Sequence, residues 1–239
     1  MAVAFNLHYD FRAPAFGPPA AEIYAAALEQ SAWGDQRGAA RVVISSHHGC
    51  DDDYGPSPLV AASAIAAVTS KVGIVPVIAL PLYHPLHVAE DVAVLDLVSG
   101  GRVALMVAAG YVEQEWVMFG RDPRDRGKRM EEGVTAIRQA WTGEPFEFRG
   151  EQVLVRPRPH QRPGPPIIMA GDSRPAARRA ARLADAYAPM TGGDSWQYYV
   201  EACEELGKPV PQRPARSQRA MFVHVTHDPE RAWSQLAPH

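Results

Sequence analysis

A chain of 239 residues, 46% of them apolar, can bury one large core or two small ones, and 24 Lys plus Arg against 27 Asp plus Glu leave a net charge of -3. The basic residues are scattered instead of striped, so neither a nucleic-acid surface nor a polyanionic partner is indicated. Cys50 and Cys203 lie far apart and outside any C-x-x-C spacing, which excludes a sequence-readable zinc site or disulfide framework and fits a reducing cytoplasm.

The amino terminus, MAVAFNLHYD, places Asn6, His8 and Asp10 where a secretory leader would be apolar, and no apolar run reaches the ~18 residues of a membrane span. A soluble cytoplasmic protein with no membrane partner is expected. Strand-like AFNLHY (4–9) precedes a helical pattern over 20–33, and RVVISSH (41–47) precedes another over 57–70. There Ser57 is placed to cap the first turn and Pro58 sits at the first helical position, where its missing N–H costs nothing. KVGIVPVIAL (71–80) reads as a strand. The following helix, 84–101, carries Leu86, Ala89, Val92 and Leu95 at three-residue steps and ends at Gly100-Gly101. His84, just before it, is expected to cap it.

RVALMVAAG (102–110) is apolar on both alternations, as a strand covered on both faces would be. The helix over 126–143 puts Met130, Val134, Ile137 and Trp141 on one stripe. The stretch 145–166 is Pro-rich and interrupts the rhythm, as a β-excursion and loop inserted between units. Strand, helix and strand resume over 165–173, 173–185 and 185–190, followed by a polar helix (195–207), a strand (219–226) and a helical start (228–236). About seven strands in repeated βα units predict a parallel α/β fold, either an open doubly wound sheet or a closed barrel.

A barrel places its site at the carboxyl ends of its strands, which directs attention to SSHHGCDDDYG, residues 45–55. Metal ligation, acid/base catalysis and a solvated loop are all open there. A two-histidine clamp on one strand needs H-x-H, which never occurs, so no metal is expected, and Asp51 to Asp53 read most cheaply as solvated. The chain has no G-x-G-x-x-G, no phosphate loop and no G-x-S-x-G elbow. AGDSRPA (170–176) ends a strand, and Gly171, Asp172 and Ser173 open a helix whose N–H groups suit a phosphate.

Three stretches together resemble the bacterial luciferase-like flavin-dependent oxidoreductases: SSHHG, the block from Lys71 to Gly120, and MAGDSRPAARRAARLADAYAP. The resemblance spans roughly residues 3–236 and implies a (β/α)8 TIM barrel of the luciferase-like type. As a single domain over 1–239 it would be C-terminally incomplete, lacking the last βα unit. It implies a monooxygenase that uses reduced FMN, from a separate flavin reductase, and dioxygen to oxidise a small organic substrate. The deazaflavin F420 in a hydride-transfer enzyme, and a non-catalytic flavin-binding or truncated inactive homologue, are the alternatives. His47 is similar to the family's active-site histidine, with His48 turned away to support it. Pro76 and Val77 match a third-strand bulge behind the flavin ring, often built on a cis peptide. Ala108, Ala109, Gly110 and Tyr111 match the fourth-strand end beside the flavin, and Gly171, Asp172 and Ser173 the phosphate end. Ser46 stands where the family commonly has glutamate, leaving no carboxylate beside the histidine, and Ala109 where luciferases have an arginine. A homodimer is also implied, with the helix over 57–70 as a contact.

Overall fold

The computed structural model describes residues 5–190, 194–212 and 226–237. In chain order the strands are β1 (Asn6–Tyr9), β2 (Arg41–Ile44), β3 (Gly73–Ala79), β4 (Leu105–Ala108), a hairpin of β5 (Phe146–Phe148) and β6 (Glu151–Val153), then β7 (Ile167–Ala170) and β8 (Ala186–Ala188). All but the antiparallel hairpin form one parallel six-stranded sheet, ordered β1-β2-β3-β4-β7-β8. Helices α1 (Ala20–Gln36), α2 (Pro58–Val68), α3 (Pro85–Ser99), α4 (Glu113–Met118), α5 (Arg126–Thr142) and α6 (Arg174–Leu183) make the crossovers that parallel pairing requires. α7 (Ser195–Glu205) packs on α6, and α8 is Pro229–Leu236. The strand expected over 219–226 lies outside the described residues except for Thr226. No helix among the described residues is long and apolar enough to cross a membrane.

The two faces of the sheet differ. Val42, Ile44, Ile74, Ile78, Leu105, Val107 and Ile167 are wholly buried beneath the helices, each side chain contributing roughly 1.5–3 kcal/mol by leaving water. Their neighbours Val43, Val77, Met106, Ala108 and Ile168 alternate onto the other face and are only half-buried. β4 is therefore not covered equally on both sides, as its unbroken apolar sequence suggests; Met106 and Ala108 on its second face stay half-buried.

The third strand also departs from expectation. Ile74 bridges Val103 and Val77 pairs with Met106 in one constant register, so no bulge intervenes. The gap in that ladder falls at Pro76, which has no N–H to donate. The cis bonds among the described residues are Arg156–Pro157 and Arg162–Pro163, not at Pro76 or Val77. Ser57 and His84 do occupy N-cap positions, but neither side chain makes a cap hydrogen bond. The His84 ring packs edge-on against His87 and Phe148 instead. At the other end of α3, Gly100 adopts the left-handed conformation, φ 67°, that closes the helix. The stripe of Met130, Val134, Ile137 and Trp141 is buried along α5.

Opposite the site, two charged side chains hold the helix and strand junctions. The Asp35 carboxylate, 8% exposed at the end of α1, accepts the backbone N–H groups of Ser70, Lys71 and Val72 and the Ser70 hydroxyl. Burial opposes its ionisation, but the N–H donors of Val72, Lys71 and Ser70 with that hydroxyl outweigh it and hold the carboxyl at about 2. Arg102 donates to the carbonyls of Ser99, Val72, Ala66 and Thr69 and to the Thr69 hydroxyl, joining α2, α3 and the start of β3.

Asp35→Ala should lower the unfolding free energy by about 2–3 kcal/mol at neutral pH, read from the urea midpoint, because three backbone N–H groups, that of Val72 buried, lose a charged acceptor. Since the folded carboxyl titrates below its ordinary 3.8, Asp35's contribution is complete above that value and fades as pH falls toward about 2. The difference between wild type and variant should shrink over that window.

Candidate active site

β2 delivers two histidines to the carboxyl edge of the sheet. Ser45 N–H donates to the Tyr9 carbonyl (3.0 Å), and the Ser46 hydroxyl donates to the Val77 carbonyl (2.9 Å), so the chain is pinned to both neighbouring strands before it turns. His47 Nδ1 then lies 2.8 Å from Glu115 Oε1, and the same oxygen accepts the His48 backbone N–H at 2.8 Å. Glu115, on α4, is 2% exposed. A carboxylate only accepts, so Nδ1 is assigned the hydrogen that faces it, and Nε2 accepts from the Tyr111 hydroxyl at 3.1 Å. The Tyr54 and Tyr111 rings meet the imidazole edge-on, with centroids at 4.9 and 5.4 Å.

The expectation that Ser46 leaves the site without a carboxylate is thus corrected: Glu115 supplies it from 68 residues further along the chain. A signal for it exists in YVEQEWVMFG. Glu115 falls at helical spacing from Val112 and Phe119, a glutamate on an apolar helix face, and such a group is buried only where partners await it.

His48 points elsewhere, with Nε2 3.3 Å from the Tyr83 hydroxyl and its ring edge-on to Phe119. Burial lowers its pKa first, with His47 adding to the effect and Glu115 opposing it. Burial, then Glu115, pushes the Tyr83 phenol up to about 12. Cys50 is kept a thiol, raised first by burial and then by nearby Asp52 and Glu115. Asp51 and Asp53 are exposed, whereas Asp52 is half-buried with an Arg12 nitrogen 3.4 Å away. Among the described residues no group of three His, Cys, Asp or Glu converges to hold a metal ion.

The registers place small side chains in a row beside His47. Ala79 pairs with Ala108, Ala108 follows the Val107–Met169 pair that precedes Ala170, and Ala170 pairs with Ala188. Alternation sets all four on the inner face at the strand ends. Of the expected ring-backing pair, Val77 shares that face, whereas Pro76 alternates onto the helix-covered side with Ile74 and Ile78. Ala109 and Gly110 follow Ala108. Gly110 has φ 79°, and a Cβ there would sit 3.3 Å from Trp116, so the turn that presents Tyr111 requires glycine.

Gly171, Asp172 and Ser173 lie elsewhere on the same edge, separated from His47 by β3 and β4, three strand spacings or roughly 14 Å. Gly171 has φ 136°, and its carbonyl accepts the Tyr187 hydroxyl at 2.5 Å. Asp172 Oδ1 accepts from Met190 N–H and the Ser195 hydroxyl, and Ser173 Oγ caps α6 at Ala176 N–H. The structure thus joins His47 with Tyr111 and sets the Gly171–Ser173 turn apart. A ligand touching both must be long, flat where the alanines lie, and suited to a helix N-terminus at its far end.

The sequence model of a family described as luciferase-like monooxygenase matches residues 8–239. The FMNH2-dependent dimethylsulfone monooxygenase of Pseudomonas putida is 29% identical over 163 residues, 65% of this chain and 44% of that protein. Among solved structures, the oxygenating constituent of 3,6-diketocamphane monooxygenase of Pseudomonas putida, in complex with FMN, superposes with a TM-score of 0.76 at 23% identity, over 89% of this chain and 65% of that one. An F420-dependent secondary alcohol dehydrogenase in complex with an F420-acetone adduct does so with a TM-score of 0.70 at 22% identity, over 87% and 66%. These likenesses assign the fold to the luciferase-like TIM-barrel class. The chain spans about half the length of the curated relatives it matches, 44% of the first and 61% of the second.

Glu115→Ala should destabilise the protein by about 2–4 kcal/mol in urea unfolding, since it leaves two half-buried donors without their buried acceptor. Glu115→Gln, which keeps one acceptor oxygen, should recover a large part of that loss.

Proposed function

The chain belongs to the luciferase-like monooxygenase family, and from that premise we propose that it binds reduced FMN and, with dioxygen, oxidises a small organic substrate. The observation that carries the reading is the buried Glu115 aligning His47 beside a row of alanines at the strand ends. The residues present fit the cofactor's chemistry. Ala79 and Ala108, with Val77 and Met106 on the same half-buried face, would offer a flat ring an apolar surface, and the turn from Ala109 to Tyr111 would lie beside it. The Gly171–Ser173 turn at the start of α6 would hold the phosphate, with the helix dipole favouring the negative charge and Asp172 fixing the turn through Met190 and Ser195.

Bound there, the reduced flavin supplies the electrons and the activation of dioxygen. His47 holds or releases a proton at Nε2, because Glu115 keeps Nδ1 engaged and fixes the ring. The alanine and valine floor keeps water from the reacting atoms. Reduced flavin comes from a separate reductase. The protein acts in the cytoplasm, where Cys50 and Cys203 remain thiols, and pairs with a second copy through α2 and α3, on which Val60, Val94, Leu97 and Val98 are exposed.

A second reading keeps the site and changes the cofactor to F420, favoured by Ala109 in the position of the luciferase arginine and by the F420-dependent structural neighbour. Anaerobic titration with reduced FMN and with reduced F420 separates the two. Tight binding of FMN supports the proposal, binding of F420 alone selects the hydride-transfer reading, and binding of neither rejects both. His47→Ala should cut flavin-dependent oxygen turnover by about 10²–10⁴-fold while leaving the flavin dissociation constant unchanged within error. Ala108→Phe should do the reverse, filling the floor and weakening flavin binding with helix content intact by circular dichroism.

A further inference from the structure

We propose that Tyr111 is the proton-transfer residue the reactant meets, and that Glu115, His47 and Tyr111 work as one hydrogen-bonded line. This rests on the assignment of the His47 pocket as the reaction site. In the line, the buried Glu115 carboxylate accepts from His47 Nδ1 at 2.8 Å, and Nε2 accepts from the Tyr111 hydroxyl at 3.1 Å. A single segment supplies both ends: Tyr111 leaves β4 through the Gly110 turn, and Glu115 follows on α4.

Exposure decides which group is outermost. The His47 side chain is 21% exposed, whereas Tyr111 is 80% exposed. A residue with a ring so open to solvent gains little from packing, and its defined contacts are the hydroxyl on Nε2 and an edge-on approach to the imidazole. Anything entering from solvent reaches the phenol oxygen before Nε2, whose lone pair is already engaged.

The step is a double proton transfer. A hydroxylic O–H bond of the reactant breaks and its proton forms a new O–H bond at Tyr111 Oη. The phenol's original proton moves to His47 Nε2, forming an N–H bond. The reactant oxygen is left with a negative charge, and the imidazolium's positive charge is held by the Glu115 carboxylate. No electron changes hands, and the reverse sequence returns a proton to an oxygen of the product. Tyr111 is catalytic in this scheme, His47 stores the proton, and Glu115 is a positioning residue that fixes the tautomer.

The test compares Tyr111→Phe with wild type in two measurements. One needs no turnover: the 15N shifts of the His47 ring, identified by their loss in His47→Ala. Wild type should show a protonated Nδ1 and a hydrogen-bonded, unprotonated Nε2, and Tyr111→Phe should move the Nε2 signal toward that of a free imine nitrogen. An Nε2 signal unmoved by the substitution overturns the proposal. The other measures reoxidation of enzyme-bound reduced FMN on mixing with air-saturated buffer. Tyr111→Phe should slow it about tenfold or more with unchanged flavin affinity, and adding it to His47→Ala should cost nothing further, as expected for two members of one unit. Wild-type rates in Tyr111→Phe, or additive losses in the double variant, overturn the proposal. Failure of wild type to bind flavin instead overturns the FMN reading, and the nitrogen shifts then decide by themselves whether the line exists.

Discussion

The Glu115 carboxylate, 2% exposed, is the constraint on which the site depends. Taking such a group out of water costs several kcal/mol unless hydrogen bonds replace its hydration, and here one oxygen accepts both the His47 ring N–H and the His48 backbone N–H. Neither the β2 loop nor α4 satisfies its polar groups without the other. The loop that carries the histidines and the helix that follows β4 are joined through this one carboxylate, which fixes the orientation of the imidazole.

The sheet supplies the second constraint. Parallel strands bring all their carboxyl ends to one edge, and the fixed registers align residues far apart in sequence: Ala79, Ala108, Ala170 and Ala188 come from four strands yet form one row. Bulky aliphatic residues fill the helix-covered face, and small ones occupy the inner face at the edge. The division follows from the two-residue alternation of a strand, which lets one short segment build the core on one face and present a half-buried face on the other. Asp35 and Arg102 satisfy the backbone groups at the opposite junctions.

Much of this was legible in the chain itself. The alternation of β-rich and helical runs located the strands of the parallel sheet, Gly100 marked the end of α3, and the Pro-rich stretch announced the hairpin and its loop. SSHHG, the 71–120 block and AGDS carried the family resemblance, and the match of the family over residues 8–239 agrees with it. The readings that failed have different sources. The cap roles of Ser57 and His84 rest on neighbours in sequence, and the bulge at Pro76 and the site without a carboxylate rest on the family resemblance; for His84, Pro76 and the carboxylate, groups from other elements decide the outcome. His84 packs against the hairpin's Phe148 instead of its own helix start, and Pro76 is accommodated by a gap in pairing with β4.

The sequence by itself determined the order of elements, the parallel class of the sheet and the histidine pair at the end of β2, because hydrophobic periodicity and helix punctuation are local properties of a chain. Only the tertiary structure decided which carboxylate aligns His47, which tyrosine covers it and which alanines lie beside it. Those contacts join residues 18 to 68 positions apart, and their geometry is set by strand register and by the burial cost of a charge, neither of which any short window of sequence encodes.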